Sequence, residues 1–278
     1  MARAALFPCL LLLALAACDR DRGEPAATVP PDGVDTAAGT TSASTMLEDV
    51  VESTPRYIIG ITYPKGASRY PGLATALRRY ADTARKELMA AVEGVGNDRP
   101  TSPYDLSLSF MELVDTPQVY AVAVDGTSYT GGAHGTPLVA RFVWLPARDE
   151  MLTSDRLLAG PEGWTAVSGF VREQLQTALS QRIDADEVAP AERAEMFQNG
   201  AGMIAAGTEP KAATFAHFEP VMGRGGRLAA LRFVFPPYQV GPYSDGTQTV
   251  EVPAAVLLPH VAPAYRGLFQ VEAPAATG

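Results

Sequence analysis

Chemistry, if this chain performs any, is most concentrated in Ser128-Tyr129-Thr130-Gly131-Gly132-Ala133-His134-Gly135. Ser128, His134 and the nearby Asp125 are the residue types of a nucleophilic hydrolase site, in which an imidazole takes a proton from a hydroxyl and a carboxylate orients it. No Gly-x-Ser-x-Gly elbow accompanies them. The glycines call for a backbone at positive φ or for close approach by another group. Three readings of His134 therefore stand together: a turn held by an imidazole-to-backbone hydrogen bond, a ligand contact, or a general base. No residue is assigned a catalytic role. Tyr129, Gly131, Gly132, His134 and Gly135 are taken as a loop that is either structural or ligand-contacting.

The second concentration is Pro236 to Gly246, Pro-Pro-Tyr-Gln-Val-Gly-Pro-Tyr-Ser-Asp-Gly. Its three prolines stiffen the backbone and lower the entropy cost of association. Tyr238 and Tyr243 offer broad faces with a hydroxyl at the tip, the kind of anchor that carries binding energy. Tyr238, Pro242 and Tyr243 are the candidate binding residues; the competing reading is a turn whose tyrosines pack on a sheet. Metal binding has little support. His134, His217 and His260 are scattered without paired spacing, and both cysteines, Cys9 and Cys18, lie in the first 18 residues. Neither a metal nor another cofactor is expected.

The elements that must position these segments follow from periodicity. Arg56–Tyr63 alternates as a strand, ended by Pro64 and Gly66. Leu73, Leu77, Tyr80, Ala84, Leu88 and Ala91 form one apolar stripe, predicting a helix over 71–93. Tyr104–Leu113 alternates as a half-exposed antiparallel strand, Val119–Val124 follows as a second, and Leu138–Leu145 as a third. A second long helix is predicted over 161–183, and a shorter one from Pro190 that stops at Asn199-Gly200. Thr214–Val221 and Leu228–Phe235 flank Gly223-Arg224-Gly225-Gly226 as a hairpin, and Thr247–Val252 is a last strand before one or two helical turns over 253–258. The fold class is α+β, antiparallel sheets packed with two long helices in two subdomains.

The N-terminal residues specify a destination. Arg3 and the apolar run Ala4–Ala17 read as a signal segment, too short at about 1.5 Å per residue to span a bilayer core of roughly 30 Å. Leu15-Ala16-Ala17-Cys18 resembles the bacterial lipobox. That resemblance implies cleavage before Cys18 and acylation of Cys18, with several acyl chains giving stable anchoring. The expected organisation is a signal peptide over 1–17, a disordered Ala/Thr/Pro-rich tether over 18–50, and subdomains over 51–130 and 131–278. The net charge of -9 disfavours nucleic acid and favours a basic partner.

The order of these features carries a resemblance. A strand ends in Tyr63-Pro64, then come a long helix, an alternating strand pair, Tyr129-Thr130-Gly131-Gly132-Ala133-His134-Gly135, a second helix and Tyr238-Gln239-Val240-Gly241-Pro242-Tyr243, closing on Val250-Glu251-Val252-Pro253 and Leu257. Over roughly residues 50 to 260 this resembles the extracytoplasmic module shared by the anti-sigma factor RsiV and the N-terminal part of the peptidoglycan deacetylase PdaC. The resemblance implies a PdaC-type subdomain followed by an RsiV-type one. It also implies binding to a lysozyme-type muramidase, since the RsiV region binds lysozyme and obstructs its cleft. The sigma-binding segment and the deacetylase domain with its metal-binding histidines have no counterpart here. The expectation is a lipid-anchored binding module of the cell envelope, on the periplasmic face of either membrane. The alternatives are a peptidoglycan- or polysaccharide-binding lipoprotein, or a hydrolase centred on His134.

Overall fold

The computed structural model describes residues 46–96, 100–185 and 189–271. The signal segment, Cys18 and the tether up to residue 45 lie outside the described residues. Where the description begins, the chain is already docked. Leu47 N–H donates to Ser68 Oγ at 3.1 Å, and Arg78 donates to the Met46 carbonyl at 2.9 Å.

Six strands form the first sheet in chain order: β1 (Val50–Ser53), β2 (Tyr57–Thr62), β3 (Tyr104–Asp115), β4 (Tyr120–Tyr129), β5 (Thr136–Leu145) and β6 (Glu150–Met151). All neighbours are antiparallel except β2 and β3, which run parallel. A parallel pair needs a long crossover, and helix α1 (Pro71–Gly94) supplies it. Leu73, Leu77, Ala84 and Leu88 bury the predicted stripe of α1 against Ile59, Ile61, Leu106, Leu108 and Phe110. Strand β3 is thus mixed in its pairing rather than wholly antiparallel, and β1 and β6 are edge strands that periodicity did not mark.

The second sheet is antiparallel, β7 (Phe218–Met222), β8 (Leu228–Phe235) and β9 (Gln248–Pro253). Against it pack α3 (Pro161–Ala185), which follows the short α2 (Ser154–Leu157), and α5 (Ala254–Leu257). Helix α4 (Pro190–Gly207) lies along α3. The predicted stop at Gly200 is therefore corrected: α4 runs on to Gly207. Gly200 is a point of close approach, since a β-carbon there would meet Leu179 Cδ2 at 2.6 Å. The predicted strand from Thr214 is also shortened. Ala212–Phe215 is a 3₁₀ turn, and Phe215 leaves the strand line to stack on Trp164 with ring centroids 5.4 Å apart.

The two layers share the first sheet. Tyr120, Val122 and Val124 of β4 face α1, while Val119, Ala121, Val143 and Leu145 face the α3 layer. Burial on both faces explains why 119–124 reads as a continuous apolar run. The six-stranded sheet continues past residue 130 to Met151, and the described residues fall within one compact unit. Among the described residues no helix is long and apolar enough to cross a membrane.

Candidate functional site

Both chemistry-bearing segments are turns at sheet ends. The first is the hairpin connection between β4 and β5, closing on the Ser128–Thr136 pair. Gly131 and Gly132 have φ of 103° and 97°, left-handed values that suit glycine. Tyr129 Oη donates to the Gly132 carbonyl at 3.2 Å, and His134 Nδ1 lies 3.2 Å from the Gly135 carbonyl oxygen.

The second segment leaves β8 at Pro236. Two backbone bonds, Tyr238 N–H to Gly241 O and Gln239 N–H to Pro236 O, both 3.1 Å, fold it tightly. The Gln239 amide donates to the Gly207 and Thr214 carbonyls at 3.1 and 2.9 Å, and Val240 is buried. A 3₁₀ turn follows over Tyr243–Asp245, its Asp245 carboxylate 2.8 Å from Arg182 of α3. Within this frame Tyr238 is held at φ 73°. That backbone region costs a non-glycine residue on the order of 1–3 kcal/mol and persists only where the surroundings impose it.

The strained turn places Tyr238 against the hairpin. The His134 and Tyr243 rings stack at 4.4 Å with an interplanar angle of 15°. Tyr238 lies 5.5 Å from Tyr243 and 6.4 Å from His134, and its hydroxyl is 3.3 Å from His134 Nε2. Residues 104 positions apart thereby make one three-ring face. Tyr238 is 56% and Tyr243 36% exposed. Of the residues singled out from sequence, His134, Tyr238 and Tyr243 come together. Tyr129, Gly131, Gly132 and Gly135 shape the hairpin beneath them, and Pro242 lies on the other side of its turn, against α3 and α4.

Among the described residues Ser128, His134 and Asp125 are not joined in a hydrogen-bonded triad. The His134 nitrogens face Tyr238 Oη and the Gly135 carbonyl. Asp125 accepts from Arg141 at 3.2 Å, and among the described residues no hydrogen bond joins His134 to Ser128 or Asp125. Nor do three His, Cys, Asp or Glu side chains among the described residues gather to hold a metal ion. What the three rings offer is a partly polar cluster, a stacked His134–Tyr243 pair with Tyr238 tilted beside it.

A second feature escaped the sequence reading. Arg141 of β5 is 7% exposed and donates to Glu219 of β7 at 2.6 Å, with further bonds to Asp125 and to the Val124 and Ala140 carbonyls. It ties the first sheet to the second. Its signal was a lone charge in the apolar run Leu138–Leu145. Burial, and the neighbouring Arg141 charge, hold the His217 imidazolium below its usual range.

Residues 229–255, spanning β8, the ring-bearing turn and β9, match the family described as "Protein of unknown function (DUF3298)". The fold is similar to that of a DUF3298 family protein from Pseudomonas aeruginosa PAO1. That likeness has a TM-score of 0.50 and 14% identity, over 81% of this chain and 96% of that one. A DUF3298 family member from Bacteroides fragilis is similar at TM-score 0.48 and 14% identity, over 80% and 94% of the two chains. No curated protein matches the sequence.

Proposed function

We propose that this chain is a binding module of the bacterial cell envelope, anchored by lipid on Cys18, that engages a lysozyme-type muramidase through the face of His134, Tyr238 and Tyr243. The observation that carries the reading is the convergence of two distant turns on one exposed ring cluster, with Tyr238 held at positive φ to complete it. Strain kept at a surface is more readily understood as serving recognition than packing. The resemblance to the RsiV ectodomain and the net charge of -9 support a basic protein partner, with charge acting mainly on the association rate.

The test is calorimetric titration of the purified chain with c-type lysozyme at low salt, beside an assay of muramidase inhibition. Binding is expected, and His134→Ala or Tyr243→Ala should weaken it about 30-fold, the scale of a loss of roughly 2 kcal/mol at an aromatic anchor. Absence of association at tens of micromolar (about 10⁻⁵ M) overturns the reading.

One feature favours a second reading. Exposed rings with polar tips, two hydroxyls and an imidazole, also suit the alternating C–H and O–H faces of a glycan. Retention on purified peptidoglycan sacculi without lysozyme, lost in Tyr243→Ala, would select that reading.

A further inference from the structure

A cavity of about 520 Å³ lies between α3, α4 and the turn at residues 240–248, lined in part by Pro242 and Ser244, the neighbours of Tyr243. Its walls are Leu175 and Leu179 of α3 and Met196, Met203 and Ile204 of α4. The volume falls in the range of small-molecule sites, roughly 300–1,000 Å³.

Helix α4 is unusual in how little it buries. Of its 18 residues only Ile204 is fully buried, while Met196 and Phe197 are 36% and 38% exposed. An apolar helix lying loosely on its neighbour leaves a wall that a ligand can complete, and methionine adapts to irregular apolar shapes. The rim is polar on one side. Arg182 is the only cationic side chain among the lining residues, paired with Asp245 at 2.8 Å. A guanidinium carries five N–H donors, so this pairing leaves capacity for an anion. The Asp245 carboxylate lines the same cavity and offsets the Arg182 charge, so an anion is held by the remaining guanidinium N–H donors, while charges beyond about 8 Å are screened at physiological salt.

We infer that this cavity binds a single-chain amphiphile with an anionic head, the alkyl chain lying between α3 and α4 and the carboxylate or phosphate meeting Arg182. The inference rests on the lining of the cavity and not on the function proposed for the ring face. The experiment titrates laurate, dodecyl phosphate and dodecyltrimethylammonium into the purified full chain, each below its critical micelle concentration. One-site binding is expected for at least one anion, with the cation at least tenfold weaker, the worth of a charge-assisted hydrogen bond. The stronger of laurate and dodecyl phosphate identifies the head.

Ala178 is exposed on the cavity side of α3. Ala178→Trp fills the space from outside the core and should abolish binding with an unchanged circular dichroism spectrum. Arg182→Gln should erase the preference for the anions while keeping the apolar contribution. Dissociation constants weaker than about 1 mM for every probe overturn the proposal. So does equal binding of anion and cation that Ala178→Trp leaves intact.

Discussion

At Arg141 a guanidinium is enclosed by two sheets, with Glu219 13% exposed beside it. Forming such a pair gains little over an apolar one, but breaking it strands a buried charge. Glu219→Ala is expected to lower stability by about 3 kcal/mol, read by urea unfolding, because the carboxylate left to Arg141 beside the two backbone carbonyls is Asp125, which is 43% exposed. His217 gives a pH dependence of known sign. Its native pKa lies below the usual 6.5, so the unfolded chain binds the extra proton. Stability is full above 6.5 and falls as pH drops through it toward the lowered native value. Unfolding at about pH 5.5 and about pH 7.5 should show this loss, and His217→Gln should reduce it. Neither feature was legible beforehand. Arg141 and Glu219 stand 78 residues apart, and a single charge in an apolar strand does not name its partner. Tyr238 and Tyr243 stood out as candidates because tyrosines spaced among prolines and glycines are a local signal. Their union with His134 depends on the fold.

Among the elements, α1 was readable almost to the residue, since its apolar stripe and Pro71 are both local. Helix α4 was not. Gly200 carries the mark of a helix stop, yet tertiary packing puts it against the Leu179 side chain of α3, which would have to shift to admit a β-carbon. Strand β1 has a mixed pattern and pairs on one side only, so period gave it no weight. The end of α4 matters for the ring face. A β-carbon on Gly207 would run into the backbone carbonyl of Gln239, which cannot move as a flexible side chain would. Gly207→Ala is expected to cost about 1–3 kcal/mol, the usual scale of overpacking, and to displace the 236–246 turn. Loss of the through-space contacts between the His134 and Tyr243 ring protons in NMR spectra would report it.

For the whole molecule, the decisive fact is that residues 120–124 of β4 and 140–145 of β5 feed the cores on both faces of the sheet. The boundary expected at residue 130 falls inside the hairpin that joins them, and the α1 layer draws Ala140 and Trp144 from beyond it. A fragment ending at residue 130 would expose the β4 edge and lose those core residues. It is expected to show no cooperative unfolding, whereas the full chain should unfold in one transition by both Trp fluorescence and circular dichroism.

The ring cluster has a kinetic meaning as well. His134 and Tyr238 can meet only after the chain between them, with α3, α4 and β7, has closed a loop of 104 residues. Contacts of such sequence separation are slow to gain because loop-closure entropy precedes their reward. The ring cluster is therefore absent until that loop has closed, and a partner of the proposed kind would meet it only on chains that have brought the two sheets together.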